Sequence, residues 1–213
     1  MRSRSKFHRS RKFILAAIGF LLVSVTIGAL FLKDRPVRLF DRLPVRSNDI
    51  VLFGDSHFEF FDAAEMLGNR RIRNKGYSGQ TSRDMLHRID DIVKARPKRV
   101  LLCAGANDAF HGRGAEAYRN DMRQLIERLK EGSEAQAVMA IPPTTDSILQ
   151  ERIKEFNLLI EQLCSNYQIP FIDISNELSR DGLLDPAFTV DGIHLNENGY
   201  RRILPLLKPF VNG

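Results

Sequence analysis

Five short runs of strand character alternate along the chain with stretches whose apolar residues recur every three or four positions. The runs are Asp49–Gly54, Arg71–Asn74, Lys98–Ala104, Ala135–Ile141 and Ile169–Ile174. No other feature constrains the fold as much. DIVLFG and KRVLLCA are nearly continuous apolar runs, the pattern of strands buried on both faces. Between the runs, Thr81–Ala95 sets Met85, Ile89, Ile92 and Val93 at helical spacing, and Pro97 closes it. Ala115–Lys130 does the same with Met122, Leu125, Ile126 and Leu129. Phe58–Leu67, Ile148–Tyr167 and Asn196–Val211 also read as helices, the last bent at Pro205. Strands that alternate with helices pair in parallel through right-handed crossovers, with helices on both faces. The expected architecture is α/β: a three-layer α/β/α sandwich around a five-stranded, flavodoxin-like parallel sheet, over residues 49–213. Such sheets place ligands outside the carboxyl ends of their strands.

Polar and glycine clusters stand at those ends. The first run leads into Gly54-Asp55-Ser56-His57, the second into Asn74-Lys75-Gly76-Tyr77-Ser78-Gly79, and the third into Gly105-Ala106-Asn107-Asp108. Asp191-Gly192-Ile193-His194 follows the fifth. Taken singly, each has an ordinary reading as a helix cap or a turn. Together they hold the parts of a nucleophilic triad: a serine, a histidine that titrates in the range needed to take its proton, and an aspartate to hold the imidazole. Glycine and asparagine supply N–H donors for a developing oxyanion.

These blocks resemble the SGNH hydrolases, also called GDSL-like lipases and esterases, over about residues 49–211. The four matching segments are DIVLFGDSHFEFFD, NKGYSGQTS, GAND and DGIHLNENGY. The resemblance implies Ser56 as nucleophile, His194 as general base and then acid, and Asp191 as its orienter. It implies an oxyanion hole made of the Ser56 and Gly79 backbone N–H groups and the Asn107 amide. It also implies ester hydrolysis through an acyl-enzyme, with no metal and no cofactor. One departure is His57, which stands where the family usually has an aliphatic residue. A neighbour one position from the nucleophile rarely reaches its Oγ, so His57 is expected to pack rather than act as base.

Other polar residues have plainer expected roles. Asp55 and Asp108 brace loops. His111 and Arg113 either line the substrate entrance or lie in a solvated loop. His87 is exposed on a helix. At least two of Phe58, Phe60 and Phe61 belong to the core. Cys103 is a small buried hydrophobe, and nothing pairs it with Cys164.

Residues 13–32 (FILAAIGFLLVSVTIGALFL) carry no charge. At about 1.5 Å per residue they reach about 30 Å, the thickness of a bilayer's hydrocarbon core. A cleaved signal peptide is the rival reading. Its apolar stretch is shorter, however, and Ile27-Gly28-Ala29 is a poor cleavage site. The expectation is a basic tail over 1–12, a single-pass membrane anchor over 13–32, a juxtamembrane linker over 33–48, and a catalytic domain outside the cytoplasm. The net charge of +6 does not signal nucleic acid. Residues 1–12 hold six basic residues and no acid, and residues 33–48 hold five basic and two acidic. Residues 49–213 hold 21 basic and 24 acidic, so the body lacks a basic footprint.

The body is too small for an added lid, and an anchored, outward-facing domain meets envelope glycans and lipids. The first expectation is therefore a short-chain esterase removing O-acetyl groups from a carbohydrate. The alternatives are a lysophospholipase or thioesterase, an acyl transferase, and a non-catalytic module in envelope polysaccharide assembly. Retention of the serine, histidine and asparagine argues against the last.

Overall fold

The computed structural model describes residues 43–213. Their main sheet has five parallel strands: β1 (Ile50–Gly54), β2 (Ile72–Gly76), β3 (Arg99–Cys103), β4 (Ala135–Met139) and β5 (Phe171–Ile172), in the order β2-β1-β3-β4-β5. In register, Leu52 pairs with Asn74 on one side and Leu101 on the other.

Both faces of the sheet are covered, which explains the unbroken apolar runs. Side chains alternate across a strand. Val51, Phe53, Val100, Leu102 and Val138 enter one core with the apolar stripes of α3 (Ser82–Ala95), α5 (Ala115–Gly132) and α6 (Ser147–Tyr167). Ile50, Leu52, Leu101, Cys103 and Met139 enter the other, with α1 (Ser56–Glu59), α2 (Ala63–Met66), α7 (Ser175–Leu178) and α8 (Glu197–Asn212). A short helix, α4 (Ala106–Phe110), follows β3. A small antiparallel hairpin of β6 (Ser179–Arg180) and β7 (Leu183–Leu184) precedes a 3-10 turn at Pro186–Phe188.

The helix boundaries follow local chemistry. Thr81 and Asp84 form a reciprocal capping box that starts α3, and Arg96 ends it at φ 49 just before Pro97. Asp146 accepts from the Ile148 and Leu149 N–H groups to start α6, and Asn196 accepts from Gly199 N–H to start α8.

Two expectations are corrected. The single helix Phe58–Leu67 is two short helices, because the Asn74 side chain takes the carbonyls of Phe58 and Phe61 and the chain turns between them. The fifth strand pairs only over Phe171–Ile172. Before it, Ile169 N–H closes the end of α6 onto Cys164 O, and after it Asp173 accepts from Ser175 N–H and turns the chain into α7. Gly105 stands at the N-terminal boundary of α4, one of the ordinary roles its block allowed. The last helix runs through both Pro205 and Pro209. Arg201 and Pro205, whose carbonyls lose their helical donors, lie on the exposed face of α8.

The expected tail at 1–12, the membrane-crossing segment at 13–32 and most of the linker at 33–48 lie outside the described residues. Among the described residues, no helix is long and apolar enough to cross a membrane.

Candidate active site

The site is built where β1 ends. The Asp55 side chain accepts from His57 N–H at 3.0 Å and turns the chain directly into α1. Ser56 is thereby the first helical residue, where the backbone N–H has no acceptor within the helix. The second strand comes very close. A Cβ at Gly76 would lie 2.3 Å from the Glu59 N atom, so only glycine lets β2 pass the nucleophile's helix.

The base arrives on the loop before α8. Thr189 Oγ1 donates to His194 O at 2.8 Å and accepts from Gly192 N–H at 2.9 Å, folding the segment into a tight turn. Within it, Asp191 Oδ1 accepts from the Ile193 and His194 N–H groups at 3.0 and 2.8 Å, and Oδ2 lies 2.7 Å from His194 Nδ1. A carboxylate accepting at Nδ1 requires a proton there, which leaves Nε2 as the acceptor. His194 Nε2 lies 3.0 Å from Ser56 Oγ. Burial of Asp191 works to raise its pKa. The His194 side chain and the two N–H donors outweigh it and hold the carboxyl down at about 2. Tyr200, early in α8, donates its hydroxyl proton to His57 O at 2.8 Å and stacks on Phe61, tying the base's helix to the nucleophile's. The Phe60 ring meets His194 edge-on at 5.1 Å between centroids.

Gly79 and Asn107 come from the next two strand ends. Gly79 takes φ +78 in the turn after β2. That turn is fixed by Tyr77 N–H to Gly54 O at 3.1 Å and by Ser78 N–H to Glu59 Oε2 at 2.7 Å. Asn107 lies in α4 and donates one amide hydrogen to Gln80 O at 2.9 Å, which ties it to the residue after Gly79. Beneath them, buried Asp108 accepts from Ser82 N–H and Ser82 Oγ–H, both at 2.7 Å. Burial raises the Asp108 pKa, and the Ser82 bonds and nearby Arg113 oppose that. The arrangement presents a serine hydroxyl, an imidazole aligned by a carboxylate, and N–H donors on adjoining loops. Such a set suits attack on an acyl carbon with stabilisation of the resulting oxyanion. Among the described residues, no group of three or more His, Cys, Asp or Glu side chains is placed to hold a metal ion.

The other sequence expectations resolve individually. Ser56, Asp191 and His194 come together. Asp55 and Asp108 brace loops. Phe58 and Phe61 are core, whereas Phe60 is only partly buried and faces the base. His87 and His111 are exposed, and Arg113 is drawn into ion pairs with Asp108 and Asp121. Cys103 and Cys164 are both buried and free. His57 is 2% exposed and its ring centroid lies 5.8 Å from that of His194, with Nδ1 left without a hydrogen-bond partner. Burial, then the nearby His194, lowers its pKa to about 3. Glu59 and Tyr200 were not anticipated. Tyr200 closes the DGIHLNENGY block, but no spacing rule shows that its hydroxyl reaches across to α1.

The sequence profile of the GDSL-like lipase/acylhydrolase family matches residues 61–202, a span that begins just after Ser56 and includes Gly79, Asn107, Asp191 and His194. Among curated proteins, an N-acylneuraminate cytidylyltransferase of Streptococcus agalactiae is 25% identical over 194 residues, which cover 88% of this chain. The match takes in only 45% of that relative's length. Among solved structures, a GDSL-like lipase from Bacteroides thetaiotaomicron superposes with a TM-score of 0.70 at 22% identity, covering 83% of this chain and 90% of that one. An acetylxylan esterase from Geobacillus stearothermophilus superposes with a TM-score of 0.65 at 18% identity, covering 80% and 97%. Both structural likenesses are likenesses of fold.

Proposed function

This chain belongs to the GDSL-like lipase/acylhydrolase family, hydrolases of carboxylic esters, and from that premise we propose that Ser56 is its nucleophile and a short acyl ester of a carbohydrate its substrate. One observation carries the reading. The carboxylate, imidazole and hydroxyl of Asp191, His194 and Ser56 form a continuous relay with spacings of 2.7 and 3.0 Å. In the proposed reaction, Ser56 Oγ attacks the ester carbonyl as its proton passes to His194 Nε2. The oxyanion is met by the Ser56 and Gly79 N–H groups and the Asn107 amide. The leaving alcohol takes the proton from His194, and water, activated by the same imidazole, releases the acid.

Two comparisons favour a sugar ester. One structural neighbour is an acetylxylan esterase, and the curated relative's name concerns an N-acylated sugar acid. The 20 uncharged residues at 13–32 support anchorage in a membrane, and the six basic residues before them support a catalytic domain outside the cytoplasm. The test is hydrolysis of p-nitrophenyl esters of increasing acyl length by the full chain in detergent. Acetate is expected to exceed octanoate. Ser56→Ala and His194→Ala are each expected to lower the rate by about a thousand-fold or more. Preference for octanoate would move the substrate to a lipid ester, and full turnover in Ser56→Ala would end the serine-hydrolase reading.

A further inference from the structure

His194 is carried on a loop that belongs to neither β1 nor any strand of the main sheet, yet its Nε2 must stay 3.0 Å from Ser56 Oγ. The loop's own hydrogen bonds set its shape and not its place. Part of its placement comes from the segment that follows β4. There, Thr144 is 1% exposed and bonded on three sides. Its N–H donates to Gln150 Oε1 at 2.8 Å, its carbonyl accepts from Leu184 N–H at 3.1 Å, and its hydroxyl donates to Gly192 O at 2.9 Å while accepting from Asp146 N–H at 3.3 Å. Thr145 N–H reaches the same Gly192 oxygen, also at 2.9 Å.

Gly192 C=O and Ile193 N–H are the two ends of one rigid peptide plane. One end is held by Thr144 and Thr145, and the other donates to Asp191 Oδ1 at 3.0 Å. Any rotation of the plane moves both ends together. Gly192 sits at φ +90, and a Cβ there would lie 2.3 Å from Thr145 Oγ1, so glycine is what lets this peptide lie against the threonine pair.

We propose that Thr144 is a positioning residue of the reaction: its hydroxyl fixes the Gly192–Ile193 peptide plane, which holds Asp191 and, through it, the His194 imidazole in line with Ser56. The inference rests on the serine-hydrolase reading above. Thr144→Val keeps the side chain's shape, and Gly192 O keeps the Thr145 donor, so the loop has a partner when the hydroxyl is gone. Misalignment of a reacting group by about 1 Å can cost about a hundred-fold, and loss of one of the three hydrogen bonds to Gly192 O is expected to cost about ten-fold in kcat with KM nearly unchanged.

The experiment is steady-state hydrolysis of p-nitrophenyl acetate by the full chain, with competent sites counted by a fluorophosphonate label carried to completion, so that unfolded enzyme drops out. Thr144→Val and Thr144→Ala should each lose about ten-fold in kcat per labelled site, and Thr144→Ser should recover most of it. The low-field proton resonance of the Asp191–His194 hydrogen bond should shift or broaden in the first two and stay in place in the serine variant. Three results would overturn the proposal: kcat per labelled site unchanged in either folded variant, an equal loss in Thr144→Ser, or an unmoved low-field proton. Ser56→Ala, run alongside, separates the two ideas. If it abolishes turnover while Thr144→Val leaves kcat per labelled site unchanged, the positioning role fails and the nucleophile stands.

Discussion

Asp55→Asn gives a stability change that can be worked from the structure. The Asp55 side chain is 1% exposed; one oxygen accepts from His57 N–H, and Oδ2 has no partner. Burial is the largest influence on its pKa, opposed by the His57 N–H and the nearby His194, and it leaves the carboxyl raised from 3.8 to about 7. A folded-state pKa above the unfolded one means that the native state holds the proton more tightly. The stability from this group is therefore full below about pH 4 and is lost as pH rises to about 7. A shift of about three units at about 1.4 kcal/mol each gives about 4 kcal/mol, and relaxation around a buried charge reduces that toward about 2 kcal/mol. Asparagine keeps an oxygen for the His57 N–H and does not ionise. Urea unfolding of both full-length proteins, followed by circular dichroism at pH 4 and pH 8, should show Asp55→Asn gaining about 2–4 kcal/mol relative to wild type across that interval. Titrating groups that do not feel the Asp55 charge cancel in the difference. Unfolding free energies that stay parallel from pH 4 to pH 8 would refute the reasoning.

Two further substitutions separate catalysis from packing. Asn107→Ala removes an expected oxyanion donor and should lower kcat by about a hundred-fold or more, read in ester turnover with the melting temperature as a check on folding. His57→Leu removes a buried ring nitrogen that has no partner and should raise stability by about 1 kcal/mol or more in thermal or urea unfolding. Because His57 has its pKa lowered to about 3, it is neutral in the working range, so the pH–rate profile of that variant should keep its shape.

Much of the fold was legible because local pattern and tertiary role agree. DIVLFG is apolar throughout because β1 has a core on each side, and the stripe Met85, Ile89, Ile92 is the face that α3 buries. Legibility failed where a distant side chain intervened. Phe58–Leu67 reads as one helix until Asn74, from the neighbouring strand, takes the Phe58 and Phe61 carbonyls. The end of the fifth strand is set by the Asp173 carboxylate, whose turn-forming role competes with pairing at a sheet edge.

The same division holds for the site. Ser56, Asp191 and His194 stood out because each lies in a short polar block after an expected strand, and parallel sheets gather such blocks at one edge; Gly79 and Asn107 were picked from their blocks by the family resemblance. What the sequence by itself determined is the set of chemical groups and the edge where they collect. Only the tertiary structure decided that His194 stands 3.0 Å from Ser56, that Tyr200 bonds across to His57 O, and that Thr144 grips the peptide plane beneath Asp191. Alignment to a fraction of an ångström depends on hydrogen bonds between residues far apart in the chain, and no local pattern encodes their distance.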